Sequence, residues 1–475
     1  MLHKLTWKQI KERTAFALGN LGHSAFYGVL STYFIVYVTS SMFHGIPKYT
    51  ATKLIALITF LTVAIRLLEV VIDPILGNVV DNTNTKWGKF KPWLMIGTIV
   101  SSLLMIVLFT GIFGLAQINS WLFAILFVII FITLDIFYSF ADISYWGMVP
   151  AISDDSKERG VFSSVASFTG SIGWNGLTMI VVPVTTFFTF IATGHHRQGA
   201  QGWLALAIIG SLAAFICALC VFFGNKEKHN TIRESAAEKK TTIKDVFSNI
   251  IHNDQILWIS LAYLLYSVAY VATNGELFYY FKFVLGQPGK FWIAGAVATI
   301  VGFCTSPLFP ILNKFIPRKM LFFLGQISMI ISYLIFIFAR SNIILVTIGL
   351  IFFSFNFAQL VTVLSLTDSI EYGQLKTGTR NEAVTLAIRP MLDKISGACS
   401  NGIVGTIAVL CGMTGSATAA DMTSKSIHMF QTCSFLIPMV LVILSIVIFA
   451  FEVKITEKKH AKIVEELEKH IEELD

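Results

Sequence analysis

Apolar runs of about 20 residues or more, each long enough to cross a hydrocarbon core as a helix, recur twelve times along the chain. They fall near residues 14–40, 52–80, 93–115, 119–150, 161–191, 202–224, 255–285, 291–313, 320–339, 342–372, 384–412 and 428–453. Lipid offers no partner to a bare N–H or C=O, so the pattern predicts a continuous helix through each run. The longest polar interruption, GNKEKHNTIRESAAEKKTTIKD at 224–245, leaves six runs on either side. The predicted architecture is an all-α membrane protein of twelve transmembrane helices in two six-helix halves, residues 1–224 and 251–453. A loop over 225–250 joins the halves, and the tail 454–475 reads as a solvated amphipathic helix.

Composition agrees with this pattern. Of 475 residues, 55% are apolar and 13% charged, with mean hydropathy +0.72, whereas a soluble domain carries about 25% charged residues. Lys4, Lys8, Lys11 and Arg13 precede the first run; basic clusters follow the second, fourth, eighth and tenth; and the central loop and tail are basic. Of the 35 lysines and arginines, 25 lie on this side and seven in the opposite loops, which predicts cytoplasmic termini. The net charge of +7 is thus a topology signal and predicts no nucleic-acid partner. All six cysteines fall within runs and read as packing residues; Cys217-x-x-Cys220 lacks a second pair for zinc. The first 13 residues are polar and lead into a full-length run, so a cleavable signal peptide is not expected. No HExxH, paired metal motif or Ser/His/Asp set stands out, so the expectation is a protein without enzymatic activity, metal or cofactor.

The charges left inside the runs carry the chemistry. An ionised side chain at mid-membrane costs from about 3 to over 10 kcal/mol, so it must pair or face water. RLLEVVIDP places Arg66, Glu69 and Asp73 on one helical face. Arg66 offsets one acid, leaving a surplus that a proton or bound cation would relieve. In the fourth run, FYSFADISYWGMVP aligns Ser139, Asp142 and Trp146. Asp142 has no base within a turn of its own helix and needs a partner from another. An acid beside an indole can grip a sugar, the carboxylate accepting from hydroxyls while the ring covers a C–H face. RPMLDKISGACSNG adds Arg389, Asp393 and Lys394, the last a cross-half partner for the acids. Glu276 in TNGELFYYF has no assigned role. A surplus-charge acid pair points to a carrier rather than a passive channel.

The loop Gly77-Asn-Val-Val-Asp81 followed by Lys86-Trp-Gly88-Lys89 resembles the G-x-x-x-D…R/K-x-G-R/K loop of the major facilitator superfamily. Three longer stretches, EVVIDPILGNVVDNTNTKWGKFKPW, DISYWGMVPAIS before Lys157-Glu-Arg159, and DSIEYGQLKTGTRNEA, resemble the glycoside–pentoside–hexuronide:cation symporter family. The resemblance runs from about residue 13 to 470 and implies a multi-pass carrier in a bacterial cell membrane, moving a glycoside with a cation. It implies coupling-ion roles for Glu69 and Asp73 beside Ser139, and sugar contacts for Asp142 and Trp146. Lys394 matches the lysine that links the two sites. Further candidates are His23, Ser24, Ser167 and Gln359 for the sugar, with Arg66 and Glu382 in the charge network.

Departures from the galactoside carriers shape the finer expectation. Ser24 and Ser167 stand where those carriers have an acid and an arginine, and losing both charges together is a coherent change. The expectation is therefore a xylose-containing glycoside, as for the isoprimeverose-type carriers of lactic acid bacteria, with a galactoside as the alternative. Ile72 replaces an asparagine of the sodium-coupled melibiose carrier, which favours a proton over sodium as coupling ion. The lactose permeases continue into a soluble regulatory domain. Here the sequence stops at Asp475, so regulation by phosphotransferase-system proteins is not expected, and lipid and sugar are the expected partners.

Overall fold

The computed structural model describes residues 6–153, 156–227, 253–339, 342–377, 382–415 and 417–472. They form helices, here α1 Trp7–Met42, α2 Lys48–Asp81, α3 Phe90–Phe109, α4 Ser120–Gly147, α5 Ser156–Thr193 and α6 Ala200–Gly224. After the central loop come α7 Asp254–Val284, α8 Trp292–Leu312, α9 Arg318–Ala339, α10 Ile343–Lys376, α11 Glu382–Leu410, α12 Ser424–Phe451 and the tail helix α13 Glu457–Glu472. Eleven of these are long and apolar enough to span a membrane. The twelfth, α11, is 29 residues long but holds Arg389, Asp393 and Lys394 in its first half, which lowers its hydropathy.

The described residues divide into two compact units. One gathers residues 1–238, 278–299 and 401–422, the other residues 239–277, 300–400 and 423–475. In the first unit, α1 packs between α5 and α6, and α3 against α4. Small residues let these backbones meet, as they must where lipid supplies no hydrophobic drive between helices. A Cβ at Gly173 of α5 would lie 2.2 Å from the Leu21 carbonyl of α1. The bundle is tied at the ends of its helices. Arg13 donates twice to Glu158 (3.0 and 2.6 Å), and the Glu227 carboxylate accepts from the backbone N–H groups of Lys89, Phe90 and Lys91 at 2.8–3.1 Å. That carboxylate closes the start of α3, where helical N–H groups lack partners. The ends of α7 and α11 belong to this same unit: Thr39 and Tyr279 hydroxyls lie 2.5 Å apart, and the Gly415 N–H donates to the Thr39 carbonyl at 2.7 Å.

The second unit corrects one expectation. The tenth run is not continuous helix: it stops at Ser354 and resumes at Ala358, with Phe355 at ψ 81°. Asn356 makes the break tolerable. Its Oδ1 accepts from the Ala358 N–H at 2.7 Å, capping the second segment, while its amide donates to the Gly325 carbonyl of α9 at 3.4 Å. Gly325 admits the strand of backbone because a Cβ there would sit 2.9 Å from Phe357 N. Broken backbone at membrane depth survives where protein groups satisfy it. Elsewhere in this unit, the Ser445 hydroxyl donates to the Ala262 carbonyl at 2.7 Å, and Phe322 stacks on Phe449 at 4.0 Å. The tail helix docks through Glu457, whose carboxylate accepts from the Arg318 N–H at 2.7 Å, and through buried Ile463.

Candidate functional site

The face of α2 expected to carry charge meets α4 in the first unit. Arg66 is 1% exposed. Its guanidinium lies 4.0 Å from Glu69 and donates to the Tyr27 hydroxyl of α1 at 3.1 Å. The Ser139 hydroxyl of α4 donates to Glu69 at 2.8 Å, both groups being buried. Asp73 follows one turn on, half-buried, directly before Pro74. The proline ring removes the N–H that would serve the Val70 carbonyl. Ile72 turns instead toward the apolar cluster of Leu76, Leu94 and Phe140.

One acid of this site escaped the sequence reading. Asp135 of α4, 2% exposed, lies 3.9 Å from Arg66. It is one turn before Ser139 and two before Asp142, on the same stripe. That spacing was the available signal, obscured because Asp135 stands alone in a phenylalanine- and isoleucine-rich stretch. Arg66 therefore stands between two buried acids, Glu69 and Asp135, with Asp73 one turn beyond Glu69.

The partner that Asp142 needed comes from α1. His23 Nε2 lies 2.9 Å from Asp142 Oδ1 and 2.8 Å from the Tyr138 hydroxyl. The imidazole stacks on Tyr138 at 4.8 Å, and Tyr138 stacks in turn on Tyr27 at 5.2 Å. Trp146, one turn along from Asp142, is 38% exposed, its ring edge-on to Tyr145. Ser24 donates to the Asn20 side chain at 3.2 Å, while Ser167 is exposed on α5. The first unit thus brings together Arg66, Glu69, Ser139, His23 and Asp142, with Asp135 added.

The remaining candidates lie in the second unit. Lys394 is half-buried on α11, and Gln359 is exposed near the start of the second segment of α10. Glu382 begins α11, but its side chain lies outside the described residues, as does Arg380. Asp393 is held by the Tyr263 hydroxyl at 2.6 Å and Arg389 at 3.2 Å. Glu276 is buried against Cys433 and Ser434 of α12.

Buried acids that share an arginine within a bundle of membrane-spanning helices fit a secondary transporter of the major facilitator class. The chain belongs to the MFS/sugar transport protein family, whose profile matches residues 15–457. It is a multi-pass membrane sugar transporter, and its resemblance to the glycoside–pentoside–hexuronide symporters holds. A lactose permease of Leuconostoc lactis is 68% identical over 466 residues, spanning 98% of this chain and 73% of that protein. The expected closeness to isoprimeverose carriers is corrected. The isoprimeverose transporter of Lactiplantibacillus pentosus is only 22% identical over 423 residues, 88% of this chain and 84% of that protein. A solved xylose transporter of E. coli matches with a TM-score of 0.61 at 16% identity, covering 95% of this chain and 99% of that one, which shows the fold alone.

Proposed function

We propose that this protein is a galactoside–cation symporter of the bacterial plasma membrane, with cytoplasmic termini and a proton as coupling ion. The observation that carries the coupling is the buried cluster of Arg66, Glu69, Asp135 and Ser139 beside the Asp142–His23 pair. Asp142 and Trp146 take the sugar, and Glu69 with Asp73 take the ion. Each ligand stabilises the arrangement that binds the other. Arg66 balances the acids beside it when the ion leaves.

The galactoside is supported by the 68% identity to a protein named lactose permease. The serines at 24 and 167 no longer argue against it, because His23 supplies a polar partner to Asp142 in place of a missing charged group. A proton is favoured because Ile72 contributes no oxygen and packs with apolar residues, whereas sodium needs several oxygen ligands. Two measurements test the reading. Lactose or melibiose should displace bound sugar from purified protein far better than isoprimeverose; the reverse ranking sinks the galactoside. Sugar entry into cells in a weakly buffered, sodium-free medium should raise external pH. Uptake that requires sodium and moves no protons sinks the proton.

A further inference from the structure

A single nitrogen stands between the acid proposed for the sugar and the cluster proposed for the ion. His23 Nε2 lies within hydrogen-bond distance of Asp142 Oδ1 and the Tyr138 hydroxyl at once, at 2.9 and 2.8 Å. It carries at most one hydrogen. With that hydrogen in place, it donates to the Asp142 carboxylate. Without it, Nε2 accepts from the Tyr138 hydroxyl and cannot hold an ionised Asp142. Which neighbour the imidazole serves therefore depends on where one proton sits.

The chain continues on both sides of this choice. Tyr138 stacks on Tyr27, and the Tyr27 hydroxyl accepts from Arg66, whose guanidinium faces Glu69 and Asp135. Asp135, Tyr138, Ser139 and Asp142 occupy one stripe of α4, so the same helix carries both ends. Other groups near the imidazole do not compete for Nε2. Tyr145 of α4 stacks at 6.0 Å with its hydroxyl given to the Phe16 carbonyl, and Thr98 and Ser101 of α3 donate to their own helix. From α6, Cys217 packs against neighbouring Gly22, and α5 meets α1 here through Ala166, Thr169 and Gly170, among which nothing titrates.

We propose that His23 is a positioning residue that couples sugar to ion within the first unit: it aims Asp142 at the sugar and, through Tyr138, passes the sugar's arrival to the Arg66 cluster. A sugar hydroxyl that donates to Asp142 competes with Nε2 for the same carboxylate. The displaced imidazole then turns to Tyr138, whose ring and hydroxyl reset the contact to Tyr27 and Arg66. Glu69 is the acid beside Arg66 that the ion needs, so the effect reaches the ion without passing through Lys394. This inference rests on the proposed symport.

Lactose binding to the purified full-length protein, measured from pH 5 to 8 with and without sodium, tests it. Wild type should show an ion-dependent dissociation constant, with a change in the range of about 5- to 150-fold typical of coupled sites. Tyr138→Phe keeps the ring and removes the hydroxyl. It should bind lactose at the favourable pH within about threefold of wild type yet lose most of the ion dependence. His23→Gln, whose amide places a fixed donor near the Nε2 position, should flatten the dependence, while His23→Ala loses affinity for lactose about tenfold or more. Wild type without any ion dependence overturns the symport reading and this inference together. Ion dependence intact in both Tyr138→Phe and His23→Gln overturns this inference alone, as does His23→Ala binding like wild type.

Discussion

Asp135→Asn isolates the acid that the sequence reading missed. Arg66 stands almost midway between two carboxylates, 3.9 Å from Asp135 and 4.0 Å from Glu69. The amide keeps the size of the side chain and removes its charge, leaving Glu69 the acid for the guanidinium to close on. At an effective dielectric of about 20, drawing that pair from 4.0 Å to about 2.8 Å deepens the attraction by about 1.8 kcal/mol. A cation reaching Glu69 must overcome that extra hold, so its apparent affinity should fall about 20-fold. The assay is lactose binding to detergent-purified protein, titrated with protons and separately with sodium, reading the half-saturating ion concentration. Asp135→Glu, which restores the charge, should return close to wild type. A half-saturating concentration unchanged in Asp135→Asn, with the thermal midpoint also unchanged, would refute the idea that Arg66 divides its charge between these acids.

Four further perturbations read other parts of the structure. Ser139→Ala removes the hydroxyl that donates to buried Glu69 at 2.8 Å; a hydrogen bond to a charged group contributes about 1.5–3 kcal/mol, so gradient-driven uptake should drop at least tenfold, and undiminished uptake counts against the site. Gly173→Ala would place a methyl 2.2 Å from the Leu21 carbonyl; overpacking of this kind costs about 1–3 kcal/mol, and a purified variant melting at the wild-type temperature contradicts the close approach. Glu227→Ala strips three acceptor contacts from the start of α3 and should cost about 1–2 kcal/mol in thermal unfolding, as helix caps do, with Glu227→Gln intermediate. Asn356→Ala uncaps the second segment of α10 at a similar cost of about 0.5–2 kcal/mol; Asn356→Asp, which keeps the acceptor, should lose less, and equal losses would place the effect elsewhere.

Much of this protein was legible without coordinates because lipid imposes a simple rule on the backbone. The long apolar runs and the membrane-spanning class follow from hydropathy, and the charges on α2 identify themselves by their cost in an apolar surrounding. The stripe Ser139–Asp142 was equally visible, since neighbours on one helix share a face through spacing alone. Pairings between helices were not visible. That His23 of α1 meets Asp142 of α4, and that Asp135 joins Arg66, depends on how three helices rotate about their axes, and side-chain volumes along their whole length set that rotation. The break at Phe355–Phe357 was hidden for the same reason: the run is apolar throughout, and only the Asn356 contacts with α9 and the bare face of Gly325 make an interrupted backbone affordable. Local periodicity thus determined which residues face inward, while packing between helices decided which inward residues touch.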